Sequence, residues 1–361
     1  MASSSSVPMR ERMTEYVIGL QDAIVAGLEA LDPNGPKFKR DRWERTEGGF
    51  GISTVFAVPP EPEHFASSAG GPSTTPTSVI ERAGVNISVI HGNLPPAGVK
   101  QMRVEHASLP YDPNSETTLP FFAAGISLIV HPRNPHAPTV HANYRYFEIT
   151  ARKDSETPGK VLAWWFGGGS DLTPSYFYEK DAVHFHRTIK DACDAHGSKL
   201  YSSFKPWCDE YFYLPHRGEA RGIGGLFFDD FCADVHKRIP AAEGETSERP
   251  WTQEAIFAFV RAAGDAFLPS YIPVLQCRIH TPYTPSQRRW QLVRRGRYVE
   301  FNLVYDRGTK FGLMTPGARI ESILVSLPET VRWEYMTDMG ADPESDEGKL
   351  LAVLKKAREW V

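Results

Sequence analysis

Apolar side chains recur at steps of three and four near the start of the chain. Met13, Val17, Leu20, Ile24, Leu28 and Leu31 form one stripe, which predicts an amphipathic helix. Asp32-Pro33-Asn34-Gly35-Pro36 ends it with consecutive turn formers. The period then shortens to two. Residues 50–58 (FGISTVFAV), 83–90 (AGVNISVI), 124–130 (AGISLIV) and 141–150 (HANYRYFEIT) read as strands whose alternate side chains face opposite sides. Residues 162–166 (LAWWF) read as a strand that stops at Gly167-Gly168-Gly169, and 222–229 (GIGGLFFD) as another short one. Helical spacing marks 179–195, 202–213, 252–267 and 349–360. Residues 298–305 (YVEFNLVY) and 309–314 (TKFGLM) flank Asp306-Arg307-Gly308 and read as a hairpin.

Strands are joined by hairpin-like loops as often as by helices, so a regular βαβ alternation fails. The fold class expected is α+β, one large and mainly antiparallel sheet with helices packed on it. Residues 59–77 hold five prolines among Ser, Thr, Gly and Ala, and 240–250 are rich in Ala, Glu and Gly. Both read as exposed loops, inserts at 59–77 and 234–250 of a single domain spanning 8–361, with 1–7 a disordered N-terminus. At 361 residues the length alone would favour two domains. One sheet running through the whole chain reduces that to one.

Composition removes several classes. Hydrophobic residues make up 41% and charged residues 23%, enough for a large core. No run of 18 apolar residues is present, so no membrane span is expected. The N-terminus lacks the apolar stretch of a secretory signal, and Glu11 and Glu15 argue against an import peptide, so a cytoplasmic location is expected. Cys193, Cys208, Cys232 and Cys277 are widely spaced with no CxxC, which points to a reducing compartment. A net charge of −4 argues against nucleic acid as a partner.

Candidate chemistry is local. The segment Gly167-Gly168-Gly169-Ser170-Asp171 follows a strand but lacks both GK[ST] and GxGxxG, so it is no phosphate loop. Either it is a tight chain reversal using positive φ, or its bare backbone accepts a flat ligand with Asp171 at the edge. His184 and His186 lie about 200° apart round a helix and cannot chelate one ion together. His131 and His141 flank a proline-rich loop and approach each other if it closes a hairpin. No G-x-S-x-G elbow and no activated cysteine is present. Arg288, Arg289, Arg294, Arg295 and Arg297 read as a solvated basic surface or a subunit-contact network. Arg145 and Arg319, beside small or polar neighbours, are the better anion grips.

Four blocks carry a resemblance: FFAAGISLIVHPRNPHAPTVHANYRYFE, WWFGGGSDLTPSYFYEKDAVHFHR, FKPWCDEYFYLPHRGEARGIGGLFFDD and RRGRYVEFNLVYDRGTKFGLMTPGARIESILVSLPETVRWEY. In order and length they closely resemble oxygen-dependent coproporphyrinogen III oxidases, from about residue 8 to Val361. The resemblance implies a flat antiparallel sheet covered by helices on both faces, a homodimer, and no organic cofactor. The activity it implies is oxidative decarboxylation of two propionates of coproporphyrinogen III by dioxygen. It also implies substrate contacts at Ser127, Asn143, Tyr144, Arg145, Gly317, Ala318 and Arg319. Catalytic roles fall to His141, a proton donor, and to Asp306 and Asp171, with Asp306 preferred as base. Relatives have been assigned metal ligands at positions matching His131, His141, His186 and His216, but no metal is expected here. The family's oxygen-independent counterpart uses a CxxxCxxC cluster that this chain lacks.

Overall fold

The computed structural model describes residues 7–57, 78–105, 118–239, 247–314 and 318–361. The expected insert at 59–77, the N-terminal residues 1–6, the middle of 234–250 and Gly317 lie outside the described residues.

The chain begins with helix α1 (Met9–Glu29), then strands β1 (Lys39–Glu44), β2 (Gly49–Ala57) and β3 (Ile80–Leu94). Helix α2 (Pro96–Glu105) precedes three long strands, β4 (Leu119–Pro132), β5 (Thr139–Thr150) and β6 (Val161–Thr173). Next come α3 (Glu179–Asp194), α4 (Leu200–Tyr211), the small ladder β7 (Tyr213–Leu214) and β8 (Glu219–Ala220), and strand β9 (Gly225–Phe231). The rest is helical: α5 (Gln253–Asp265), α6 (Phe267–Arg278), α7 (Pro285–Glu300), a π-turn (Phe301–Tyr305), α8 (Arg307–Met314), α9 (Ile320–Leu324) and α10 (Asp346–Lys355). Seven strands form one antiparallel sheet in the order β1-β2-β3-β4-β5-β6-β9. The expected α+β class and single antiparallel sheet hold.

Alternation assigns the faces. Phe122, Ala124, Ile126, Leu128 and Val130 of β4, with Val140, Ala142, Tyr144 and Tyr146 of β5, are buried in one cluster with α1, α3, α5 and α6. Each large side chain withdrawn there contributes about 1.5–3 kcal/mol of apolar burial. Among the described residues, the opposite face is covered only at its margins. Asn86 of β3 donates to the Ser322 carbonyl at 2.9 Å, and Arg82 pairs with Glu329 at 3.1 Å, so 320–329 crosses one side. Val99 of α2 packs with Ile149, Ala163 and Trp165 at one end of the strands. Between these margins the described residues leave the middle of the sheet open: Ser127, in a central strand, is exposed.

Three expectations change. The hairpin at 298–314 is instead the end of α7, the π-turn and α8. Tyr298, Phe301, Asn302 and Tyr305 are spaced three and four apart, and burying that stripe outweighs the strand-like alternation. Gly167–Gly169 does not reverse the chain. It continues β6, and none of the three has positive φ. Small size is what matters, because a Cβ on Gly169 would lie 2.2 Å from the Leu226 carbonyl oxygen. The C-terminal end of the supposed exposed insert is buried: Arg249 is fully enclosed, donating to the carbonyls of Asp234 (3.0 Å) and Pro250 (3.0 Å) with its guanidinium 4.2 Å from the Trp251 ring.

Helices α5 and α6 together form the one helical stretch among the described residues long and apolar enough to span a bilayer. More than half of its apolar window is buried in the protein. All four cysteines are free, and only Cys277 is exposed.

Candidate active site on the open sheet face

Strand periodicity builds the site. His141, Asn143 and Arg145 are successive outward positions of β5. Ser127 of β4 stands opposite Asn143, and on the other side Asp171, Gly169 and Gly167 of β6 stand opposite the same three residues. The connection 133–138 does close a hairpin, as expected, since Val130 pairs with Val140.

Asp171 is buried between two partners. One oxygen meets His141 Nδ1 at 2.8 Å and the other accepts from Arg221 Nη2 at 2.6 Å. Burial alone would raise the Asp171 pKa, but Arg221 and His141 outweigh it and hold it below the usual aspartate value. The ionised carboxylate therefore takes the Nδ1–H of His141, leaving Nε2 as the nitrogen not committed to Asp171. Arg221 is itself buried, with Nη1 donating to Asn302 Oδ1 at 2.9 Å. Its guanidinium lies 4.1, 4.4 and 4.7 Å from the ring centres of Phe212, Tyr298 and Phe301. Burial pulls its pKa down, yet Asp171 more than compensates and the net shift is upward.

Asp306 caps α8. Its Oδ2 accepts from the Thr309 N–H at 2.7 Å, and its Oδ1 accepts from the Tyr211 hydroxyl at 2.9 Å. Tyr211 stacks on Phe227 of β9, ring centres 4.2 Å apart, and Phe227 pairs with Gly169. This places Asp306 at the edge of the same open face. Burial, then the neighbouring Asp306, pushes the Tyr211 phenol up to about 12. Arg145 donates to Asn143 Oδ1 and pairs with Asp229, each at 2.8 Å. Arg307 reaches the other Asp229 oxygen at 3.7 Å.

The structure thus brings together Ser127, His141, Asn143, Arg145, Asp171 and Asp306. Arg319 is exposed and pairs with Asp41 of β1, and Ala318 precedes it. Four strand spacings separate β1 from β5, about 19 Å, so these residues border the face rather than join its centre. Tyr144 does not join the group: it points into the helix-covered core and its hydroxyl donates to the Ala263 carbonyl at 2.8 Å. Sequence reasoning missed Arg221, Asn302, Tyr211 and Asp229. The need of a buried Asp171 for a cation, and an arginine set before Gly222 and Gly224, were the signals for the first.

The histidines of the metal reading are dispersed. His131 is buried, one nitrogen 3.1 Å from Thr139 Oγ1 and the other 3.1 Å from the Ser326 carbonyl. His186 lies in the core between the Tyr201 hydroxyl and the Ile223 carbonyl, and His216 sits between Tyr305 and Glu300. Among the described residues no three His, Cys, Asp or Glu side chains form a metal-binding group. The clustered arginines are not a solvated surface either. Arg294 and Arg295 are buried against Glu219 and Glu81, while Arg288, Arg289 and Arg297 pair with Glu81, Glu334 and Glu300.

The family model described as coproporphyrinogen III oxidase matches residues 12–360. An oxygen-dependent coproporphyrinogen-III oxidase of Drosophila melanogaster is 49% identical over 353 residues, covering 98% of this chain and 78% of that protein. The mitochondrial protein of the same name from Homo sapiens is 47% identical, over 98% of this chain and 67% of its own. One from Prochlorococcus marinus (strain MIT 9313) is 45% identical, over 97% and 90%.

Proposed function

From the premise that this chain belongs to the coproporphyrinogen III oxidase family, we propose that its open sheet face is where substrate binds and reacts. The reaction is the oxygen-dependent conversion of two propionates of coproporphyrinogen III to vinyl groups, in haem biosynthesis. Each propionate, with one dioxygen and one proton, gives a vinyl group, carbon dioxide and hydrogen peroxide; two rounds yield protoporphyrinogen IX. The observation that carries the placement is the in-register set of His141, Asn143 and Arg145 between Ser127 and Asp171, with Asp306 at its edge.

Arg145, steadied by Asn143, grips a propionate. Arg319, with Ala318, serves the far border, which suits a substrate carrying carboxylates all round its rim. Asp306 is the base: it accepts pyrrole N–H groups and takes the proton that makes the ring electron-rich enough to reduce dioxygen directly. Asp171 is too deeply buried to touch substrate and is held by Arg221, so its part is to orient His141. The Nε2 of His141 then relays the proton that the reduced oxygen requires. On this reading no organic cofactor and no metal takes part, dioxygen being a co-substrate.

The functional unit we propose is a homodimer, and exposed Trp333, Tyr335 and Met336 offer apolar surface for it. The human relative is named mitochondrial and the Glycine max relative chloroplastic. For this chain a cytoplasmic location is proposed, supported by four free thiols. The decisive experiment is an anaerobic-to-aerobic assay with chelator present, following product and peroxide together. Product should appear only with dioxygen, with two peroxides per protoporphyrinogen. Loss of activity on chelation overturns the metal-free reading, and binding without oxygen uptake overturns catalysis altogether.

A further inference from the structure

Three features hold Asp229 at the site. Two residues after Phe227 in β9, it follows the strand's alternation onto the open face. Between the pairs Gly168↔Phe228 and Phe166↔Phe231, β9 has one residue more than β6, a bulge that returns Phe231 to the core while Asp229 stays outward. Asp230, the next residue, takes a left-handed φ of 53°, unusual outside glycine, and its N–H donates to Asp229 Oδ1 at 3.0 Å. His236 Nε2 fixes the Asp229 carbonyl at 2.9 Å. Opposite the bulge stands Gly167, where a Cβ would lie 2.7 Å from both Arg145 Nη2 and Asp229 Oδ1. The bare backbone of Gly167 is the seat on which the Arg145–Asp229 pair lies.

We propose that Asp229 is a resident carboxylate, occupying Arg145 and Arg307 where a substrate propionate would bind, and that it sets how readily propionates are taken up and released. Its carboxylate meets Arg145 at 2.8 Å and Arg307 at 3.7 Å, the groups an incoming propionate must contact. A propionate therefore arrives by exchange: one carboxylate leaves the arginines as another enters, and the product leaves by the reverse exchange. Two arginines without Asp229 would hold carboxylates more tightly, including those that the product retains. This rests on the reading of Arg145 as a propionate grip.

The isosteric Asp229→Asn variant tests it. KM for coproporphyrinogen III should fall about three- to fivefold, the effect of one charge at a partly exposed ion pair. Its KM should rise more steeply with added NaCl than that of the unaltered protein. Inhibition by coproporphyrin, with four carboxylates, should strengthen more than inhibition by mesoporphyrin, with two. Gly167→Ala leaves every charge in place but displaces the pair, and should raise KM. A KM unchanged or raised in Asp229→Asn, or unchanged in Gly167→Ala, overturns the inference. Arg145→Ala separates the two readings. If it raises KM about tenfold while Asp229→Asn has no effect, only the resident carboxylate fails. If Arg145→Ala itself leaves KM unmoved, the grip fails first.

Discussion

Along β5, Val140, Ala142, Tyr144 and Tyr146 turn into the helix-covered core, while His141, Asn143 and Arg145 turn the other way onto open sheet. The same strand serves two purposes because a period of two keeps the faces independent. The covered face supplies stability: Phe228 of β9 stacks among Phe204, Phe231 and Phe259, with ring centres 5.1–6.2 Å apart. The open face keeps charged groups near solvent. Its deepest carboxylate, Asp171, is admitted only because Arg221 comes with it. Activity and stability should accordingly separate when either face is altered.

The largest effect is expected from Asp306→Ala, which should lower kcat by about 10²–10⁴-fold while unfolding loses only the roughly 1 kcal/mol of the cap on α8. Near-normal turnover would remove Asp306 from the chemistry. Phe228→Ala should do the reverse. It should cost about 3–5 kcal/mol in denaturant unfolding, with kcat of the folded fraction preserved. A comparable loss of kcat would mean that the faces are coupled.

Acid should weaken the molecule through groups outside the open centre. Burial, the largest influence on each, lowers His131 and His186 to about 3. An unfolded histidine titrates near 6.5, so below that pH the unfolded chain binds more protons. The stability due to these neutral histidines is complete above pH 6.5 and is lost as pH falls from 6.5 toward 3, by about 2 kcal/mol each at pH 5. Glu81 follows later: burial opposes its ionisation, but Arg295 and Arg288 prevail and lower it to about 2. Its share is lost between pH 4.5 and 2. Unfolding midpoints measured from pH 7 to 4 should show the first slope, and His186→Gln should flatten it; an unaltered slope would exclude His186.

Legibility in the sequence followed the same division. Residues 124–130 and 141–150 were readable as strands because core and site residues alternate without interruption. β1, Lys-Arg-Asp-Arg-Trp-Glu, was not, since an edge strand with mostly exposed side chains has no apolar phase. The segment 298–305 misled because its β-prone residues alternate, while its helical stripe becomes decisive only when Arg221 lies against it. His141, Asn143 and Arg145 could be placed on one face from spacing alone. Arg221 and Asp229 could not, because their contacts depend on pairing across distant strands and on a bulge that no local pattern announces.

Asp306 stands at the end of the π-turn Phe301–Tyr305. The Asp306 N–H reaches back to the Phe301 carbonyl, a loop one residue wider than an α-turn. Leu303 and Val304, within it, are exposed, so their side chains can vary in kind with little effect. An ordinary α-turn would join the same two groups with one residue fewer, so the wider turn takes up an extra residue while Asp306 keeps its place beside Tyr211. The side chains inside the loop are therefore free to change while its two ends are not, and a family alignment should show variable letters at these two positions next to an unvarying Asp306.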